Sequence, residues 1–151
     1  MNQRVRAGLG RAARALLVFG GVAPFLPALL ESVPGLDALG RVLDTWFSFQ
    51  CHRDEARSLV ASAVCARCVG IYIGLALGAL ALRPKLPPRQ HLAWVLVATA
   101  LLVADVLTEA FGWRPPWAPL RFVTGFSLAY PVGVSIVSAF GERQRASVKP
   151  A

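Results

Sequence analysis

Apolar positions in this 151-residue chain gather into four long blocks separated by short polar stretches. A helix needs about 20 apolar residues to cross the hydrocarbon core of a bilayer. Residues 122–141 meet that requirement with no charge between Arg121 and Glu142. Residues 59–82 meet it with Arg67 inside, and residues 92–111 with Asp105 and Glu109 inside. The first block, residues 12–30, carries Pro24 and Pro27 and is expected to span as a kinked helix. Between the first two blocks, Leu36, Leu39, Val42, Leu43, Trp46 and Phe47 recur at helical spacing. That pattern predicts a short amphipathic helix lying along the membrane surface. Three prolines within 83–90 predict a tight turn, as does the Trp- and Pro-rich stretch 112–119, whose tryptophans suit the interfacial belt. The predicted fold is therefore all-α: one transmembrane domain over residues 1–151, a four-helix membrane bundle with an interfacial helix before the second span.

Composition and charge placement sharpen this. Hydrophobic residues make up 56% of the chain and charged residues 16%, against roughly 25% charged in soluble domains. The formal net charge of +8 raises nucleic acid as a partner, but the basic residues sit at the ends of apolar blocks instead of along one solvated face. Membrane lipids are the partners this placement fits. Basic residues before the first block raise a signal peptide; with no small-residue cleavage site ahead of a soluble domain, an uncleaved first helix is expected. Arg4, Arg6, Arg11 and Arg14 precede the apolar part of the first block, residues 15–30, Arg83, Lys85 and Arg89 follow the second, and Arg143, Arg145 and Lys149 follow the fourth. The positive-inside rule then places both termini in the cytoplasm, with the bacterial inner membrane as the location.

Six arginines on the opposite side (Arg41, Arg53, Arg57, Arg67, Arg114 and Arg121) run against that bias, and three of them lie in one stretch: Cys51-His52-Arg53, Arg57-Ser58, and Cys65-Ala66-Arg67-Cys68-Val69-Gly70-Ile71-Tyr72-Ile73-Gly74. All three cysteines of the chain are here. The stretch resembles the signature of a family of bacterial and archaeal membrane proteins of unknown function, close to C-H-x(4)-R-S, then C-A-R-C-x-G-I-Y-x-G, an intramembrane Asp and a final R-x-x-T-G. Cys51, His52, Arg57, Ser58, Cys65, Arg67, Cys68, Gly70, Ile71, Tyr72, Gly74, Asp105, Arg121, Thr124 and Gly125 match, over about residues 51–125. The resemblance implies a shared fold and site and brings no known activity. Val106 departs from the family, whose members often carry Gly after the Asp.

Depth gives an independent argument. At about 1.5 Å per helical residue, Arg67 lies roughly 24 Å and Asp105 roughly 21 Å above the cytoplasmic boundary, with Glu109, Cys65, Cys68 and the helix start at Arg121 in the same outer layer. An unpaired charge in mid-span costs about 2.5–3.5 kcal/mol, so an Arg67–Asp105 pair is expected, either as a structural tie or as part of a site with Arg121 and Tyr72 in catalytic roles. On the second span, Cys65, Cys68 and Tyr72 share one face, while Arg67, Gly70, Gly74 and Gly78 lie opposite, the glycines as a helix-packing stripe.

Cys51, His52, Cys65 and Cys68 supply four soft ligands suited to zinc, or three plus an open position. The rival is a membrane thiol–disulfide oxidoreductase using Cys65 and Cys68, and a third reading is a non-enzymatic structural or metal-sensing protein. Arg53, Arg57 and Ser58 are candidate anion-binding residues; with Arg67 and Arg121 the arginines match a lipid or prenyl phosphate. The sequence lacks C-x-x-C-H, H-E-x-x-H, the deaminase pattern and glycine-rich phosphate loops.

Overall fold

Proline placement decides how the first apolar block folds. In the computed structural model, which describes residues 3–50, 62–80 and 87–146 (side chains for 8–50, 62–80 and 87–139), α1 (Gln3–Val22) gives way to a 3-10 turn at Ala23–Phe25 and then to α2 (Leu26–Glu31). Pro24 and Pro27 occupy the opening positions of the turn and of α2, where a missing N–H breaks no helical hydrogen bond. The expected kink is thus a restart of the helix, and Gly8–Glu31 is apolar and long enough to cross a membrane as one segment.

A left-handed Gly35 turns the chain into α3 (Asp37–Ser48). Its amphipathic pattern is as expected: Phe47 is buried, while Leu39, Val42, Trp46 and Phe49 are exposed. Gly40 lets α3 lie directly on Glu31 and the Pro27 carbonyl of α2, with no room for a Cβ.

The second apolar block differs from expectation at its start. A helix was expected from residue 59, yet residues 62–65 are not helical and α4 begins at Ala66, running to Leu80. The Ala63 N–H donates to the Pro24 carbonyl at 2.9 Å, and the Ser62 hydroxyl to the Val64 carbonyl at 2.9 Å. Val64 is fully buried in a cluster with Phe47, Ala63 and Val69. These bonds and that burial hold the strip against α1–α2 at the expense of helix. Fifteen residues of helix measure about 22 Å, so α4 is shorter than α1, α5 and α6. α5 (Pro88–Ala110) and α6 (Ala118–Ala146) both start a few residues earlier than the apolar blocks suggest. Among the described residues, three segments, within α1–α2, α5 and α6, are long and apolar enough to cross a membrane.

α4 packs on α6 through the glycine stripe. A Cβ on Gly70 would run into the Phe122 carbonyl, one on Gly74 into the Phe126 carbonyl, and one on Gly78 into the Tyr130 carbonyl. These pairings advance together, so α4 and α6 run parallel. α1 is antiparallel to α4, with Pro24 beside Ala63 and Gly21 beside Ala76. α5 is antiparallel to α6, its His91 bonded to Ser135 at one end and its Glu109 to Arg121 at the other.

Pro131 lies inside α6 and cannot donate to the Ser127 carbonyl, its i−4 partner. The Trp94 indole N–H of α5 donates there instead, at 3.2 Å. Trp94→Phe is expected to destabilise the α5–α6 pair by about 1 kcal/mol by stranding that carbonyl. In a Pro131→Ala background, where the helix recovers its own donor, the same change should cost much less in thermal unfolding in detergent. An equal cost in both backgrounds would show that Trp94 acts by packing alone.

Candidate functional site

Where α5 ends and α6 begins, five charged side chains meet. Arg67 reaches from α4 to Asp105 on α5, donating Nε at 3.2 Å and Nη2 at 2.5 Å to the same carboxylate oxygen. Arg114, in the α5–α6 turn, pairs with the other oxygen of Asp105 and donates to its backbone carbonyl at 2.9 Å. The Thr124 hydroxyl lies 3.2 Å from Asp105 Oδ2. One turn further along α5, Glu109 takes a two-pronged contact from Arg121 and lies 3.5 Å from Arg67 Nη2. Asp105, Arg121 and Thr124 are each at most 5% exposed. Burial at that level makes each pairing obligatory, because a lone charge there would lack both water and a partner.

Gly125 makes the approach possible: its missing side chain leaves room for the Arg67 backbone. Gly112, with φ of +69°, turns the chain sharply after α5, bringing Arg114 back over Asp105. Arg67, Asp105 and Arg121, grouped on sequence grounds, are therefore together.

Tyr72 is not with them. It lies on the other face of α4, where its ring meets Phe47 edge-on at 6.3 Å and its hydroxyl donates to Gln50 Oε1 at 2.6 Å. Cys68 joins Tyr72 against the Phe47–Val64–Val69 cluster, and Cys65 is buried just before the helix. The two faces of α4 carry different chemistry: thiols and a phenol toward α3, guanidinium toward α5 and α6.

Of the expected metal ligands, Cys65 and Cys68 lie at the start of α4, while Cys51 and His52 are outside the described residues, as are Arg53, Arg57 and Ser58. Among the described residues no group of three or more His, Cys, Asp and Glu side chains converges as a metal site. Two thiols spaced i, i+3, one just before the helix and one in its first turn, can still supply half of a tetrahedral set.

Residues 51–135 match the family described as a predicted membrane protein family, DUF2085. The chain belongs to this family. It is also 31% identical over 133 residues to the uncharacterized protein MJ1492 of Methanocaldococcus jannaschii, a match covering 80% of this chain and 83% of that protein. No solved structure matches. The family's matched span opens at Cys51 and takes in α4, α5 and the start of α6, so it contains every residue of both faces just described.

Arg114 escaped sequence reasoning, as did the partners of Thr124 and Glu109. Arg114 sits past the end of a helix, where periodicity gives no depth, and its position follows from the Gly112 turn. Thr124 matched the family pattern, yet its bond to Asp105 depends on the α5–α6 crossing. Glu109 was legible as an acid at the right depth, and its assignment to Arg121 needed the structure.

Proposed function

We propose that this membrane protein crosses the bacterial inner membrane four times, with α4 as the second crossing and both termini cytoplasmic, and that its functional centre is a zinc site of Cys51, His52, Cys65 and Cys68. The observation that carries the metal reading is the 2.6 Å bond from Tyr72 to Gln50. Gln50, the last described residue before Cys51, is thereby held to the same α4 helix that carries Cys68, and Cys51 follows it by one peptide, about 3.8 Å between Cα atoms. Ala63, close before Cys65 in the chain, is fixed to Pro24. Bringing Cys51 back to Cys65 across roughly 13 residues costs little closure entropy. The alternating directions of α1, α4, α5 and α6 support a four-helix bundle.

Zinc held there would staple the 51–61 segment to α4 and polarise whatever occupies an open coordination position. A lipid or prenyl phosphate gripped by Arg67 and Arg121 would lie on the far side of α4, about a helix diameter or 10 Å away. This separation favours a structural or metal-sensing centre over a zinc hydrolase acting on that phosphate. Cys65, immediately before α4, and Cys68, in its opening turn, also support a second reading, a redox pair.

Purified protein should carry stoichiometric zinc, and Cys68→Ser or His52→Ala should release it. The three thiols should resist alkylation until a chelator is added and then react together. Thiols at 65 and 68 that react only after reductant, with Cys51 reacting independently, would establish the redox reading. Free alkylation with neither reagent would overturn both.

A further inference from the structure

We propose that the turn after α5, centred on Arg114, is a binding site for the phosphate of an anionic phospholipid headgroup. It rests on the membrane location and is independent of the zinc centre on the opposite face of α4. Among the described residues of the charge layer, three guanidiniums (Arg67, Arg114, Arg121) face two carboxylates (Asp105, Glu109), leaving one positive charge in excess. The excess is most accessible at Arg114. Its side chain is 23% exposed, against 5% for Arg121. Beyond Asp105, its Nε donates to the Thr108 hydroxyl at 3.0 Å, and its Nη1 reaches only the Pro115 carbonyl at 3.4 Å. That last contact is weak, and a phosphate oxygen would replace it with a charge-assisted bond. The first turn of α6, immediately after, holds no acid, so its helix dipole adds to the same sign.

A second, independent observation identifies the source of the phosphate. Phe111, Trp113 and Trp117 flank Arg114 and are 65%, 76% and 59% exposed. Phe111 and Trp113 stack at 5.4 Å. Large aromatic rings left open on a membrane protein belong at the headgroup layer, ring body among acyl chains and N–H toward water. Rings on both sides of Arg114 fix its guanidinium at the depth of lipid phosphates. A free anion would need neither ring.

The full chain, reconstituted in phosphatidylcholine vesicles, is titrated with phosphatidylglycerol brominated near the glycerol or with phosphatidylcholine brominated at the same position, and tryptophan quenching is read. The expected result is a preference for the phosphatidylglycerol of about fivefold, the contribution of one arginine at an anionic surface. Arg114→Gln should abolish the preference and Arg114→Lys retain part of it. The Trp113→Phe, Trp117→Phe double variant should lose the signal that reports it. Equal quenching by both lipids in the unaltered protein overturns the proposal, whatever the variants do. Loss of the preference on adding inorganic phosphate at constant ionic strength also overturns it, by showing a free-anion site.

Discussion

Asp105→Ala should be the most damaging single substitution in the charge layer, costing about 3–5 kcal/mol, the range for stranding a buried ionic partner. Asp105 is 4% exposed and serves Arg67, Arg114 and Thr124 at once. Its removal leaves two guanidiniums facing each other with only Glu109 nearby. Arg67→Ala should cost less, since Asp105 keeps Arg114 and Thr124. An exchange of charges between positions 67 and 105 should recover only part of the loss, because an arginine at 105 would face Arg114. The exposed Arg41–Asp37 pair on α3, at 2.9 Å, serves as the control: Arg41→Ala should shift stability by no more than about 0.5 kcal/mol. Unfolding in mixed micelles, followed by circular dichroism, ranks the variants. Asp105→Ala as stable as Arg41→Ala would mean that the layer is solvated and not a tie.

The glycine stripe gives the second large effect. Gly70→Ala and Gly78→Ala each place a methyl group against a backbone carbonyl of α6, which cannot rotate away as a side chain can. α4 and α6 must separate over part of their length, and the expected loss is about 3 kcal/mol per site, the upper range for overpacking. Gly8→Ala and Gly20→Ala, where a Cβ meets nothing within 4 Å, should be neutral or slightly stabilising through helix propensity. The contrast is read as folded yield and as resistance to thermal unfolding. Equal behaviour of the two pairs would mean that α4 and α6 are not in backbone contact.

Much of this architecture was legible in the sequence because membrane helices have a simple ruler. Rise per residue placed Arg67 and Asp105 at one depth before any contact was visible, and their bond follows. Spacing of four placed Gly70, Gly74 and Gly78 on one face, and a packing stripe is what they form. The ruler fails where the chain leaves the helix. Ser62 to Cys65 read as helical on apolarity alone, because no local signal records the Pro24 carbonyl that claims the Ala63 N–H. Tyr72 was grouped with Arg67 as a candidate catalytic residue, although its angular position set it on the opposite face. A proline inside an apolar run marked Ser127 as short of a donor; that Trp94 supplies one depends on the register of α5 against α6.

The order in which the ribosome makes the chain gives the charge layer a built-in schedule. Arg67 is synthesised 38 residues before Asp105, so the first acid of α5 enters the bilayer with a cation already waiting in α4. Glu109, which lies 3.5 Å from Arg67 in the folded chain, precedes its other partner Arg121 by 12 residues. Arg67 is thus the one arginine of the layer made before either acid, and Arg114 and Arg121 follow both. Truncated nascent chains ending between Glu109 and Arg114 would therefore depend on Arg67 far more than the finished protein does.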